Sequence, residues 1–280
     1  MKKSLYWILA FVITIGAAYY QRKTGPTYPK SAVATVNGTI YDLKLIRSIG
    51  LDRPSEVKLA ITDSTASAKL FFRRYPTGDE YLAVDFKYRK TERFEGFAAA
   101  IPQQPAAGKL QYYYEINDSK GTETYMKDSP VIVRFKGSVP AFVMIPHILL
   151  MFVAMLFSTL AGLYAIGKNQ LFRKYTTWTV ILFTIGGLIL GPVVQKYAFG
   201  DLWTGIPFGW DLTDNKTLIA FVFWVIAFIM NRKKERPAYT ILAAVVLLLV
   251  YSIPHSMFGS ELNYESGQVT QGVILNFFLK

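Results

Sequence analysis

Two kinds of hydrophobic pattern divide this chain. Five runs are continuously apolar: Leu5–Tyr20, Ala141–Ile166, Thr177–Val194, Leu218–Met230 and Ala238–Ile253. A helix crossing the hydrocarbon core of a bilayer needs roughly 20 apolar residues, about 17–25 in practice. The second and third runs reach that length alone. The other three reach it by adding end residues such as Trp7, Tyr19, Tyr20, Lys216 and Tyr251, types that suit the headgroup region. Between residues 25 and 138 the period changes to two. Leu82, Val84, Phe86 and Tyr88 alternate with Ala83, Asp85 and Lys87, and Leu110, Tyr112, Tyr114 and Ile116 with Gln111, Tyr113, Glu115 and Asn117. Val131, Val133 and Phe135 alternate with Ile132, Arg134 and Lys136. Such alternation predicts half-buried strands. Further strands are predicted over residues 32–36, 40–47, 57–62, 69–74 and 94–101, separated by Gly, Pro and Asn turn residues.

The predicted fold class is a membrane protein: an α-helical bundle of about five transmembrane helices plus one extracytoplasmic all-β sandwich of seven to nine strands. The predicted divisions are an N-terminal anchor over 1–24, the sandwich over 25–138, a four-helix transmembrane part over 139–255 and an outer tail over 256–280. The tail ends in the apolar run Val273–Leu279, too short to span and expected at the interface or paired as a strand.

The charge of +12 among 280 residues raises the question of nucleic acid, and position answers it. Nine of the basic residues sit beside apolar runs: Lys2 and Lys3; Lys168, Arg173 and Lys174; Arg232, Lys233, Lys234 and Arg236. Basic loops of this kind mark the cytoplasmic side. The segments 195–216 and 254–280 carry instead Asp201, Asp211, Asp214, Glu261 and Glu265 against three Lys. Both sets agree on a cytoplasmic N-terminus and an outer C-terminus in a cell membrane, most simply a bacterial inner membrane. The partners expected are the lipid bilayer and a protein in a membrane complex, not nucleic acid. Lys2, Lys3 and Gly16–Ala17–Ala18 also fit a signal peptide, whose removal would leave four spans and the same outer face.

The stretch Gly108–Ile116, the turn Asp118–Gly121 and the strand Val131–Phe135 resemble the last two strands of a fibronectin-III or immunoglobulin-like domain, with Tyr112 or Tyr114 in the place of the corner tyrosine. The chain has no Cys, so the immunoglobulin Cys…Trp…Cys core is missing and the fibronectin-III comparison is the better one. The resemblance implies a module that binds or spaces rather than reacts.

Candidate chemistry is sparse. Without Cys, thiolate catalysis, disulfides and iron–sulfur clusters are excluded. His147 and His255 fall at the same predicted depth. Met144, His147 and Met151 share one helical face, and Met257 follows His255 by two residues. Imidazole with thioether suits copper, and two axial His suit haem b; interfacial His and packing Met are the plainer alternative. The loop through Trp203 and Trp210 carries Asp211, Thr213, Asp214 and Asn215, oxygen donors that suit calcium or that cap the fourth span through Thr213 or Asp214. An acid–base site from Asp201, Asp211, Asp214, Glu261 and His255 fits no reaction template. Gly186–Gly187 and Gly191–Pro192 are expected to allow close helix packing. The function expected is a non-catalytic envelope protein whose β-domain binds or positions a partner. The alternative is a redox or metal-handling protein with haem b or copper at His147 and His255.

Overall fold

The computed structural model describes residues 2–254 and 261–270 and separates them into two compact units. One comprises the described residues of 1–26 and 139–260; the other comprises Thr27–Ser138 and Glu261–Thr270. His255, Met257 and Val273–Leu279, for which the sequence raised expectations, lie outside the described residues.

The first unit is helical. Its elements are α1 (Lys3–Thr24), α2 (Ala141–Ile166), α3 (Leu171–Phe183), α4 (Gly191–Phe199), α5 (Leu212–Met230) and α6 (Pro237–Ser252). A π-helical segment, Thr184–Leu190, joins α3 to α4, so Leu171–Phe199 is one 29-residue helical stretch. Four helices are long and apolar enough to cross a membrane: Lys3–Thr24, Ala141–Ile166, Leu171–Phe199 and Leu212–Met230. The fifth, α6, is apolar but shorter, at 16 residues. Only 17–28% of the residues in the four apolar windows are buried within the unit, so most of their apolar surface faces outward.

Small residues hold these helices together. Ala154, Ala161, Ala220, Ala227, Ala243 and Ala244 are buried with Phe183, Trp224 and Leu247. A Cβ added to Gly162 would stand 2.7 Å from Ala244 Cβ, so α2 and α6 approach as closely as a side chain allows. Buried hydroxyls bond back along their own helices, as Thr159 Oγ1 does to Met155 O (3.0 Å) and Thr179 Oγ1 to Tyr175 O (2.8 Å). Thr176 and Thr240 link α3 to α6 through their hydroxyls at 3.2 Å. Helix α1 belongs to this packing. Its Tyr6 and Ala10 are buried against Leu160, Tyr164, Ala165 and Phe172, and the Tyr6 and Tyr164 rings lie 4.6 Å apart.

The second unit is built of strands: β1 (Lys30–Val36), β2 (Thr39–Leu45), β3 (Ser48–Gly50), β4 (Glu56–Leu59), β5 (Ser67–Arg74), β6 (Leu82–Asp85), β7 (Lys87–Thr91), β8 (Phe94–Ala100), β9 (Lys109–Asp118), β10 (Gly121–Tyr125) and β11 (Val131–Lys136). The largest sheet runs β3-β11-β9-β5-β6, with β10 also on β9; a second runs β4-β8-β7, and β1 pairs with β2. All three bury side chains in one core, among them Leu43, Leu59, Leu70, Phe97, Tyr112 and Phe135. The described part of the C-terminal segment adds a short hairpin, β12 (Glu261–Leu262) and β13 (Val269–Thr270), hydrogen-bonded from Leu262 N to Ala107 O.

Four expectations are corrected here. The region 25–138 holds eleven strands rather than seven to nine. The alternating run 82–88 is two strands: β6 pairs with β5 and β7 with β8. The chain changes sheets at buried Phe86, whose N–H donates to Ala68 O. Strand β9 is covered on both faces through its centre, with Gln111 and Tyr113 buried along with Leu110, Tyr112 and Tyr114. Tyr112 donates its hydroxyl to Ile46 O at 2.9 Å. That bond reaches far back along the chain, unlike the local bond of a corner tyrosine.

Candidate functional site

At the end of the helical unit where α2 and α5 begin and α4 and α6 finish, the helices frame a partly open cavity of about 210 Å³. Sequence alone brings its parts together poorly, because they come from four stretches: 147–151, 187–203, 211–217 and Tyr251.

Local chemistry fixes each wall. Asp211 is the N-cap of α5: its Oδ1 accepts from Thr213 N (2.7 Å) and Asp214 N (3.2 Å), satisfying donors that a helix start leaves without partners. This corrects the assignment of the cap to Thr213 or Asp214. Asp214 reaches the preceding loop, where its Oδ2 accepts from Thr204 N (2.6 Å), Thr204 Oγ1 (3.2 Å) and Gly205 N (3.1 Å). Asn215 Oδ1 accepts from Ile206 N at 2.7 Å. A side chain on Gly205 would meet Asp214 and Asn215 at 2.6–2.7 Å, which explains glycine at the point of closest approach. Gln195 of α4 donates to Thr204 Oγ1 at 2.7 Å and pins the loop from the other side.

The opposite wall is α2. His147 Nδ1 lies 2.8 Å from Gly186 O. A carbonyl only accepts, so Nδ1 carries the hydrogen, and the neutral ring keeps Nε2 as an acceptor. Gly186 O also receives the N–H of Gly191, the five-residue bond of the π segment. Met151 lines the same cavity one helical turn beyond His147. π segments inside α-helices recur at functional sites, and here the segment offers a carbonyl to a histidine on a neighbouring helix.

Of the residues singled out from sequence, the cavity brings together His147, Met151, Trp203, Asp211 and Asp214. Met144 and Trp210 are not among its lining residues. Trp210 is 73% exposed, beside Phe208 at 79%, as suits a loop lying in a lipid interface. Asp201 is exposed. Glu261 belongs to the strand-built unit, where its carboxylate is 3.1 Å from Lys109 Nζ. Burial lowers the Lys109 pKa, and Glu261 opposes that shift. Among the described residues no three His, Asp or Glu side chains come together as a metal cluster.

Sequence reasoning missed Gln195 and the Gly186 carbonyl, although the glycines around the π segment were visible, and it took Tyr251 only as an interfacial end residue. Lys216, expected as an interfacial end residue, is instead only 4% exposed, and its Nζ donates to Ile253 O at 2.7 Å. With Gln21 Nε2 on Tyr251 O (3.0 Å), Lys216 satisfies carbonyls at the end of α6, where a cation also suits the helix dipole.

A comparison with protein-family models and with curated protein sequences finds no match for this chain.

Proposed function

We propose that this chain is an integral protein of a bacterial-type cell membrane, in which the helices anchor a β-domain that binds or positions a protein partner without catalysing a reaction. The N-terminus is cytoplasmic in this reading, and the fibronectin-III-like sandwich and the C-terminal segment face the other side.

The observation that carries the reading is how the candidate acid–base groups are used. Asp211 caps α5, Asp214 ties down the loop before it, and Glu261 pairs with Lys109. Each holds backbone or a neighbouring charge in place. The burial of Tyr6 and Ala10 of α1 supports a retained anchor over a cleaved signal peptide. The partner surface in this reading centres on an aromatic cluster of the largest sheet, where Phe71, Arg73 and Tyr81 are half-buried over buried Tyr113. There Phe71 stacks on Tyr113 at 4.8 Å, Tyr81 packs edge-on at 4.9 Å, and Arg73 lies over Tyr81 at 4.5 Å. Aromatic residues and Arg are the types that dominate interface energetics.

Mild solubilisation of native membranes, followed by capture of the tagged full chain, should recover a stoichiometric protein partner. The double substitution Phe71→Ala and Arg73→Glu should release it. A chain that is monomeric and partnerless in native membranes would contradict the proposal. The redox alternative needs His255 as a second ligand; a Soret band or bound copper in the purified protein would favour it.

A further inference from the structure

We infer that the cavity between α2, α4, α5 and α6 is a binding site for a neutral, ring-bearing, lipid-soluble molecule that donates hydrogen bonds: a phenol or hydroquinone head group.

The polar groups facing the cavity lean to one side of hydrogen-bond chemistry. His147 spends its N–H on Gly186 O and keeps an acceptor nitrogen. Asp211 and Asp214 are carboxylates, and Gln195 uses its amide nitrogen on Thr204. No Lys or Arg is among the described lining residues. Lys216, the nearest basic residue on α5, turns to Ile253 O. A ligand matching this set supplies the hydrogens itself.

Two features favour a neutral donor over an organic cation. The Asp211 carboxylate accepts two backbone N–H groups at the start of α5, and Asp214 Oδ2 accepts two more with the Thr204 hydroxyl. Backbone dipoles therefore already answer both charges. The cavity also lies in a helical unit whose outer surface is apolar, and a neutral molecule partitions into such surroundings where a cation does not. The remaining lining is Thr213 and Thr217, the latter spending its hydroxyl hydrogen on Thr213 O (2.8 Å), and Gly187, Gly191, Pro192, Val194 and Ala198, with Phe199, Trp203, Met151 and Tyr251. Aromatic rings and a thioether pack well against a flat ring.

Gly191 gives a clean way to close the site. A Cβ built there meets only Gly186 O at 3.8 Å and His147 Cε1 at 3.9 Å, ordinary contacts, so the first carbon of a side chain fits beside His147, and further atoms would occupy the space that Gly191 lines. The probes are decylubiquinol and its oxidised form, decylubiquinone, titrated into the full-length protein in nanodiscs and read by thermal stability and isothermal calorimetry. Decylubiquinol should bind saturably, and the quinone, which lacks both hydroxyl donors, at least 10-fold more weakly. Gly191→Leu should lose quinol binding while melting like the wild type without ligand; should that variant fail to fold, Gly191→Ala should weaken binding by a smaller factor. Absence of saturable quinol binding, equal affinity for the two redox forms, or unchanged affinity in either Gly191 variant would overturn the inference. Any of these results leaves the partner-binding proposal untouched.

Discussion

The helical unit and the strand-built unit bury their interiors by opposite means. The strands bury large side chains: Tyr112, Tyr114, Phe135, Leu43 and Leu70 are all within 1% of full burial in one shared core. The helices bury mainly small ones, alanine and threonine, and leave Phe11, Val12, Phe142, Leu149 and Leu249 at 58–75% exposure. The proposed membrane placement of the helices accounts for the difference. A sheet in water gains stability by removing large apolar surface from solvent. Helices in hydrocarbon gain nothing from that transfer, so they gain by approaching closely and by bonding their few polar groups to each other. The surfaces agree: β7, at a sheet edge, reads Lys87–Tyr88–Arg89–Lys90–Thr91 and is mostly exposed, the charged edge that prevents strand addition.

Substitutions can break this contrast. Tyr112→Ala should have the largest effect. It empties a fully buried position and removes the bond to Ile46 O, and large-to-small changes of this kind cost about 3–5 kcal/mol. Denaturant titration in detergent should show the strand-built unit unfolding earlier while helical circular dichroism persists. Loss of both signals together would mean the units are not independent.

Asp214→Ala comes next. It leaves Thr204 N and Gly205 N without their acceptor, a loss of about 2–3 kcal/mol for buried donors. The thermal transition of the helical unit should fall, with the strand unit unmoved. Gly162→Val tests close approach directly, since the new side chain would collide with Ala244; overpacking should cost about 1–3 kcal/mol. No change in the helical transition would show that α2 and α6 have room to spare.

The smallest effect is on pH. Hydrogen bonds hold several carboxylates of the strand unit below their usual range: Asp63 through Thr65 and Asn37, Asp118 through Asn37 N and Lys120 N, and Glu95 through Tyr88. A lowered folded pKa stabilises above the unfolded value, near 4, and that stability is lost as pH falls through the folded pKa. The strand unit should therefore melt progressively earlier below about pH 4, and Asp118→Asn should flatten part of that slope. A melting temperature constant from pH 5 to pH 2 would contradict this.

How much of this was legible in the chain follows from the same contrast. Apolar runs long enough for a membrane announce themselves, because helices satisfy their own backbone; four of the five runs correspond to helices of spanning length. Strand β6 and its neighbour β7 could not be separated by period alone. Phe86 keeps the alternation going while the backbone changes sheets, and only the pairing partners show it. Strand β9 hid its second buried face because Gln111 and Tyr113 read as solvent-facing types. The cavity was half legible. His147, Met151, Trp203, Asp211 and Asp214 stood out by residue type. Gln195 and the Gly186 carbonyl did not, because one is an ordinary polar residue and the other is backbone. The π segment that presents that carbonyl is visible only as glycines in an apolar run.

In the proposed topology the two ends of the helical unit lie on opposite sides of a membrane, with the strand unit on the side away from the basic connectors. The chain has no Cys, so single introduced cysteines report without background. Lys120, Asp201, Gln170 and Lys234 are all exposed, whereas Gly205 is buried and would clash. Intact cells, with the outer membrane permeabilised where one is present, are treated with a membrane-impermeant maleimide. Cysteine at Lys120 and Asp201 should label at once, and cysteine at Gln170 and Lys234 only after the cell membrane is broken. Labelling at Lys234 in sealed cells, or protection at Lys120, would contradict the topology and the proposal built on it.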